Sequence, residues 1–154
     1  MSKHVVIGAD HRGIDAANTL AGALRDKGHT VDVFGPASAG ESVDYPSQAW
    51  AVGTRVGKGE ADFGVLVCGT AIGMSIAANK LPGVRAAIVH DELTAGLSRS
   101  HNDANVICLS GDLLGMRLIE KIMDVFLTTG FEGGRHARRV EQIERIERGQ
   151  APTD

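Results

Sequence analysis

Short apolar runs alternate with segments of helical periodicity along nearly the whole of this chain, and that alternation limits the folds open to it. Residues 5–9 form an apolar run, after which Ile14, Ala17, Leu20, Ala21 and Leu24 recur at helical spacing up to Gly28. Residues 30–34 read as a second strand, 35–44 as a loop carrying Gly, Ser and Pro, and 46–57 as a helix opened by its proline. Residues 63–67 predict a third strand that leads through a glycine-punctuated turn into a helix, closed after about Asn79 by Leu81-Pro82-Gly83. A strand over 84–89, a helix over 93–100, a strand over 105–109 and a helix over 113–129 continue the pattern. Parallel strands need helical crossovers to carry the chain back over the sheet. The expected class is therefore α/β, a Rossmann-like three-layer α/β/α sandwich around a five-stranded parallel sheet. Residues 135–150 read as a charged amphipathic tail whose Val140, Ile143 and Ile146 share one stripe suited to packing against a neighbour.

At 154 residues the chain has the length of one domain, expected over 1–150 with a disordered tail at 151–154. Its 16 basic against 19 acidic residues give a net charge of −3, which supplies no global field for nucleic acid or an anionic membrane. The longest uncharged stretch, the 17 residues 63–79, holds three glycines and falls short of a bilayer span. The opening MSKHVVIGAD passes straight into a strand without the features of a signal peptide, so a cytoplasmic location is expected. Cys68 and Cys108 read as free thiols, since a chain of this size builds its core without disulfides.

Ligands of open α/β sheets bind beyond the carboxyl ends of the strands, and here those positions are polar. Asp10-His11 follows the first predicted strand, Cys68-Gly69-Thr70 the third and His90-Asp91 the fourth, while His101-Asn102-Asp103 precedes the fifth. Cys68 has two readings. It is either a buried inert thiol, or it stands near a helix N-terminus whose free amides favour the thiolate and make it a base or nucleophile. In the second case the turn Gly69-Thr70-Ala71-Ile72-Gly73 turns amide hydrogens toward an oxyanion, with Thr70 adding a hydroxyl or merely capping the helix. The turn lacks both the P-loop and the G-x-G-x-x-G pattern, which argues against a nucleotide. A metal site, and with it a metal-dependent hydrolase, would need Asp10, His11, His90, Asp91 and His101 to converge, without any zinc-type spacing to support it. Arg135, His136, Arg138 and Arg139 follow two glycines; they either pair with Glu141 and Glu144 on a solvated helix or form a phosphate site.

GADHRG, SVDYP, CGTAIGMSIAANK, RAAIVHD, SRSHNDANV and TTGFEGGRHARRVEQI together resemble the ribose-5-phosphate isomerase B family, over residues 5–143. The resemblance implies aldose–ketose isomerisation of a sugar phosphate without metal or other cofactor, with ribose 5-phosphate first, and galactose 6-phosphate, allose 6-phosphate or a tetrose phosphate as alternatives. It makes Cys68 the base acting between C1 and C2 and residues 69–73 (Gly69, Thr70, Ala71, Ile72, Gly73) the anion hole. It gives Thr70 a role in moving the proton between oxygens and His101 the opening of the sugar ring. Asp10, His11, Tyr45 and Asn102 would contact the sugar; Arg135, His136 and Arg139 would hold the phosphate with His11. It also implies a homodimer or homotetramer with shared active sites. Met74 occupies the position at which one branch of the family carries a glutamate base, so the chain resembles the cysteine branch. Ala71 replaces a frequent glycine, and Asp112 stands where an arginine commonly helps hold phosphate. A phosphosugar-binding module without catalysis is the other class the same residues would serve.

Overall fold

The chain is described by a computed structural model over residues 1–153. Five parallel strands and six helices alternate: β1 (His4–Ala9), α1 (Ile14–Asp26), β2 (Thr30–Phe34), α2 (Tyr45–Gly57), β3 (Phe63–Cys68), α3 (Ile72–Ala78), β4 (Ala86–Ile88), α4 (Glu92–Asn102), β5 (Val106–Ser110), α5 (Met116–Thr128) and α6 (Arg135–Glu147). The sheet order is β2-β1-β3-β5-β4, and every pairing is parallel. Both faces are covered, which is why the inner strands read as continuous apolar runs rather than alternating ones. Val5, Ile7, Val65, Val67, Ile107 and Leu109 pack with Leu20, Leu24, Ile122 and Phe126 of α1 and α5. Val6, Leu66, Cys68 and Cys108 point the other way, against Val52 of α2 and Met74 of α3. The expected α/β sandwich is the observed one.

Glycine allows the layers to approach. A β-carbon at Gly64 would lie 2.6 Å from Val52 Cγ1, and one at Gly13 only 2.2 Å from the Val67 carbonyl oxygen. Gly64 thus lets α2 settle onto the sheet, and Gly13 draws the turn after β1 onto the carboxyl end of β3. The chain leaves β1 toward β2, then returns past β1 to β3, crosses in the opposite direction to β4 at the far edge and comes back to β5 between β3 and β4. That reversal opens a crevice between the carboxyl ends of β1 and β3.

Several boundaries differ from expectation, among them the start of α5, at Met116 rather than 113. Helix α4 extends through Asn102, so His101 and Asn102 are helical rather than in a connecting loop, and β5 starts at Val106. Strand β4 is only three residues long and lies at a sheet edge. On α6 only Val140 of the expected stripe is buried; Ile143 and Ile146 are exposed. Residues 151–153 have no regular secondary structure, although Arg145 Nε and Gln142 Nε2 donate to the carbonyls of Ala151 and Thr153; Asp154, the last residue of the expected tail, lies outside the described residues.

Candidate active site

The crevice gathers the first group of expected residues. Asp10 is buried, and its Oδ1 accepts the amide hydrogens of Arg12 (2.9 Å) and Gly13 (3.0 Å), which fixes the turn carrying His11. His11 Nδ1 accepts from Val43 N–H at 3.4 Å, tying this turn to the loop before α2. At the end of β3, Cys68 is 4% exposed, and its Sγ accepts the Ala71 amide hydrogen at 3.2 Å. The turn between them is tight enough to hold Ala71 at φ 69°, a left-handed conformation costly for a residue with a β-carbon. Thr70 Oγ1 accepts from the Ile72 amide at 3.4 Å. Tyr45, at the start of α2, places its ring on Gly73, where a β-carbon would fall 2.4 Å from Cζ. Asp10, His11, Tyr45, Cys68 and residues 69–73 therefore line one crevice.

β5 completes its floor. The Gly111 amide donates to the Cys68 carbonyl at 2.8 Å, the Ser110 hydroxyl donates to the Gly69 carbonyl, and the Asp112 amide donates to the same oxygen at 3.3 Å. Arg12 and Asp112 form an ion pair beside Gly69. Neither Arg12 nor Ser110 stands out in the sequence as a site residue, because their partners lie far along the chain.

The second group assembles elsewhere. His101, in the last turn of α4, stacks on His136 of α6 with centroids 4.1 Å apart and planes 5° from parallel. Glu132 Oε2 lies 4.0 Å from His101 Nε2 and 3.7 Å from His136 Nε2. Arg135 Nε donates to His136 Nε2 at 3.4 Å. Burial holds the titration of His136 below the ordinary histidine range, helped by its neighbours His101 and Arg135, with Glu132 opposing. Arg99 anchors this end of α4: its guanidinium lies 4.9 Å from the centroid of Phe63 and bonds Asp103 (2.8 Å) and the Ala104 carbonyl (2.6 Å). Among the described residues Arg135, Arg138 and Arg139 have no carboxylate partner; Glu144, expected as one, instead faces Arg85 at 3.9 Å. Glu132 escaped notice in the sequence, although its i,i+4 spacing to His136 was a usable signal.

The two groups stand at opposite ends of the sheet. His101 and Asn102 precede β5, while Cys68 is in register with Ser110 at the end of that strand. The four steps from Val106 to Ser110 alone span about 13 Å. The convergence of Asp10, His11, His90, Asp91 and His101 that a metal site would need does not occur among the described residues. Asp10 is engaged with its own turn, and Asp91 caps α4 by accepting from the Thr94 amide at 2.7 Å and from its hydroxyl at 2.8 Å. Both bonds hold the Asp91 carboxyl below its ordinary range. His101, Glu132 and His136 have the donor types for a divalent ion, with ligand atoms within 4.8 Å of one another. Their stacked, nearly parallel rings do not aim both nitrogen lone pairs at one point, as a tetrahedral site would require. The chemistry on offer is a buried sulfur beside a turn of amides at one end, and a cluster of imidazoles and guanidiniums at the other.

A cavity of about 610 Å³ lies away from the crevice, between β4 and α6, lined in part by Arg85, Asn102, Ile143 and Ile146. No helix is long and apolar enough to cross a membrane among the described residues.

A family model described as Ribose/Galactose Isomerase matches residues 5–143. Ribose-5-phosphate isomerase B of Escherichia coli is 41% identical over 145 residues, covering 94% of this chain and 97% of that protein. D-erythrulose-4-phosphate isomerase of Pectobacterium atrosepticum is 40% identical, covering 90% and 91%. The crystal structure of ribose-5-phosphate isomerase B from Mycoplasma genitalium with bound ribulose 5-phosphate is similar at a TM-score of 0.91 and 42% identity, covering 96% of this chain and 98% of that one.

Proposed function

The chain belongs to the ribose/galactose isomerase family, and from that premise we propose that it interconverts ribose 5-phosphate and ribulose 5-phosphate through an enediolate. The observation that carries the reading is Cys68: a sulfur at the mouth of the strand crossover, oriented by the Ala71 amide and followed by the tight turn that opens α3. An aldose–ketose shift needs one base at a carbon acid and donors at the developing oxyanion, and this crevice has both.

In this mechanism His101 opens the sugar by passing the proton of the C1 hydroxyl to the ring oxygen. Cys68 thiolate then takes the C2 proton, and the electron pair moves to form the C1–C2 double bond while O1 becomes the oxyanion. The amides of residues 69–73 stabilise that charge. Cys68 returns its proton to C1, and Thr70 assists transfer of the O2 proton to O1. Asp10, His11, Tyr45 and Asn102 bind the sugar; Arg135, His136 and Arg139, with His11, bind the phosphate. None of these steps calls on a metal or another cofactor.

One chain alone leaves His101 and the arginines a strand's length from Cys68. We therefore assign the second group to another copy of the chain, in a homodimer or a tetramer built from dimers. The exposed Ile72, Ile76, Ile143 and Ile146 support this, since single exposed apolar side chains are ordinary but four on α3 and α6 suit a covered face. A free catalytic thiol also suits a reducing compartment, hence the cytoplasm, and the reaction places the protein in the pentose phosphate pathway.

The relative acting on D-erythrulose 4-phosphate supports a second reading, a four-carbon substrate, at nearly the same identity. The test is to assay four-, five- and six-carbon aldose phosphates for ketose formation in D₂O, following deuterium at the substrate carbon. Turnover of ribose 5-phosphate with solvent exchange is expected. Binding without exchange or turnover on any sugar would replace the isomerase with a binding module.

A further inference from the structure

Arg12 and Asp112 come from opposite sides of the crevice, the first after β1 and the second after β5, and meet across the end of β3. Their meeting point is Gly69: a β-carbon there would lie 2.9 Å from Arg12 Nε and 3.0 Å from Asp112 Oδ2. Each end of this bridge is tied to the backbone around Cys68. The Arg12 amide is held by Asp10 and the Asp112 amide by the Gly69 carbonyl, while Gly111 sits so close to Arg12 that a β-carbon on it would fall 2.9 Å from the Arg12 carbonyl oxygen.

The bridge is poorly placed to add stability. The side chains are 59% and 34% exposed, and ion pairs in such settings contribute about 0–1 kcal/mol. What it does accomplish is orientation. Asp112 accepts from Arg12 through both carboxylate oxygens, from Nε and from Nη2, and so fixes the plane of the guanidinium. Arg12 Nη1 has no partner among the described residues. An oriented, exposed guanidinium edge is a receptor for a tetrahedral oxyanion, because its planar fork matches two phosphate oxygens.

We propose that Arg12 is a substrate-binding residue that grips the phosphate of the aldose phosphate, and that Asp112 is the positioning residue that aims it across Gly69. The assignment rests on the isomerase reading for the identity of the ligand. Asp112, taken alone, would repel a phosphate; paired with Arg12, its charge is spent on the guanidinium.

The test uses the full chain with ribose 5-phosphate and erythrose 4-phosphate as substrates and inorganic phosphate as a direct probe by calorimetry. Arg12→Ala is expected to raise KM and weaken inorganic phosphate binding by roughly 10- to 100-fold, with kcat within about twofold. Arg12→Lys should recover part of the loss. Asp112→Ala should raise KM less than Arg12→Ala, and the double substitution should be milder than Arg12→Ala alone, because it removes the bare carboxylate. Unchanged KM and phosphate affinity in Arg12→Ala would overturn the proposal, as would equal defects in both singles and the double, which mark a bridge that only holds the loops together. If the unsubstituted chain isomerises no aldose phosphate, the isomerase reading fails instead, and the dependence of phosphate binding on Arg12 still decides whether Arg12 binds the anion.

Discussion

The phenol ring of Tyr45 rests directly on Gly73, so that any side chain at Gly73 must displace it. The contact joins the start of α2 to the first turn of α3 and closes one wall of the crevice. Gly73→Ala is therefore expected to lower kcat/KM for ribose 5-phosphate by about tenfold or more, since small misplacements in a site are costly. A cycle with Tyr45→Ala checks the cause. Once the ring is gone, adding the methyl at Gly73 should cost almost nothing further; additive losses would mean that Gly73 matters for another reason.

The two cysteines should separate cleanly. Cys68→Ala is expected to reduce kcat by about 10³-fold or more, with a loss of stability of the size expected for any buried thiol. Cys108 lies in β5 on the same face, where burial pushes its thiol up to about 12 and keeps it protonated. Cys108→Ala should retain activity and cost about 1–2 kcal/mol of stability, a drop of several degrees in Tm. Thermal melts beside steady-state kinetics settle the matter, and a catalytic defect in Cys108→Ala with an unaltered melt would show the wrong thiol had been chosen.

The proposed sharing of the site between copies is open to a mixing experiment. Cys68→Ala and His101→Ala chains, each nearly inactive, are expected to regain about one quarter of full activity after subunit exchange in equal amounts, because half the dimers then hold one intact site. Failure to recover, with exchange verified by mass, would contradict the assignment of His101 to the opposite copy.

His136 provides the pH dependence. Its proton affinity is lower folded than unfolded, so the unfolded chain binds more protons as pH falls below about 6.5. The contribution of His136 to stability is present above that pH and is lost as pH falls through its lower folded value. Chemical denaturation between pH 7.5 and 5 should show a smaller acid loss in His136→Gln than in the parent, and NMR titration should place the His136 midpoint below 6.5. A midpoint above 6.5 would reverse the sign.

Much of this was legible in the residues, for reasons that can be named. Strand and helix periods fixed the class because both faces of the sheet are covered, and Cys68-Gly69-Thr70 marked itself by ending an apolar run with a turn. His101 was harder. Its place just before a strand was plain, yet its position at the amino ends of the strands follows from α4 returning over the sheet, a fact of three-dimensional direction. Arg12 and Asp112 lie 100 residues apart, and no periodicity connects them. Likewise the carboxylates near Arg138 and Arg139 suggested pairing on one helix, but Glu144 turned to Arg85 because α6 packs beside the turn that precedes β4.

The position of the crevice is set by the winding of the backbone, before any side chain shapes its walls. The crevice exists because the chain winds outward from β1 in one direction and resumes from β3 in the other, with Gly13 and Gly64 letting the layers close around it. Cys68, His11, Arg12 and Asp112 are occupants of a hollow that the winding makes in advance. Their identities can therefore change, one strand end at a time, without reopening the problem of how the chain folds, and a new sugar or a new base asks for a substitution rather than a new architecture.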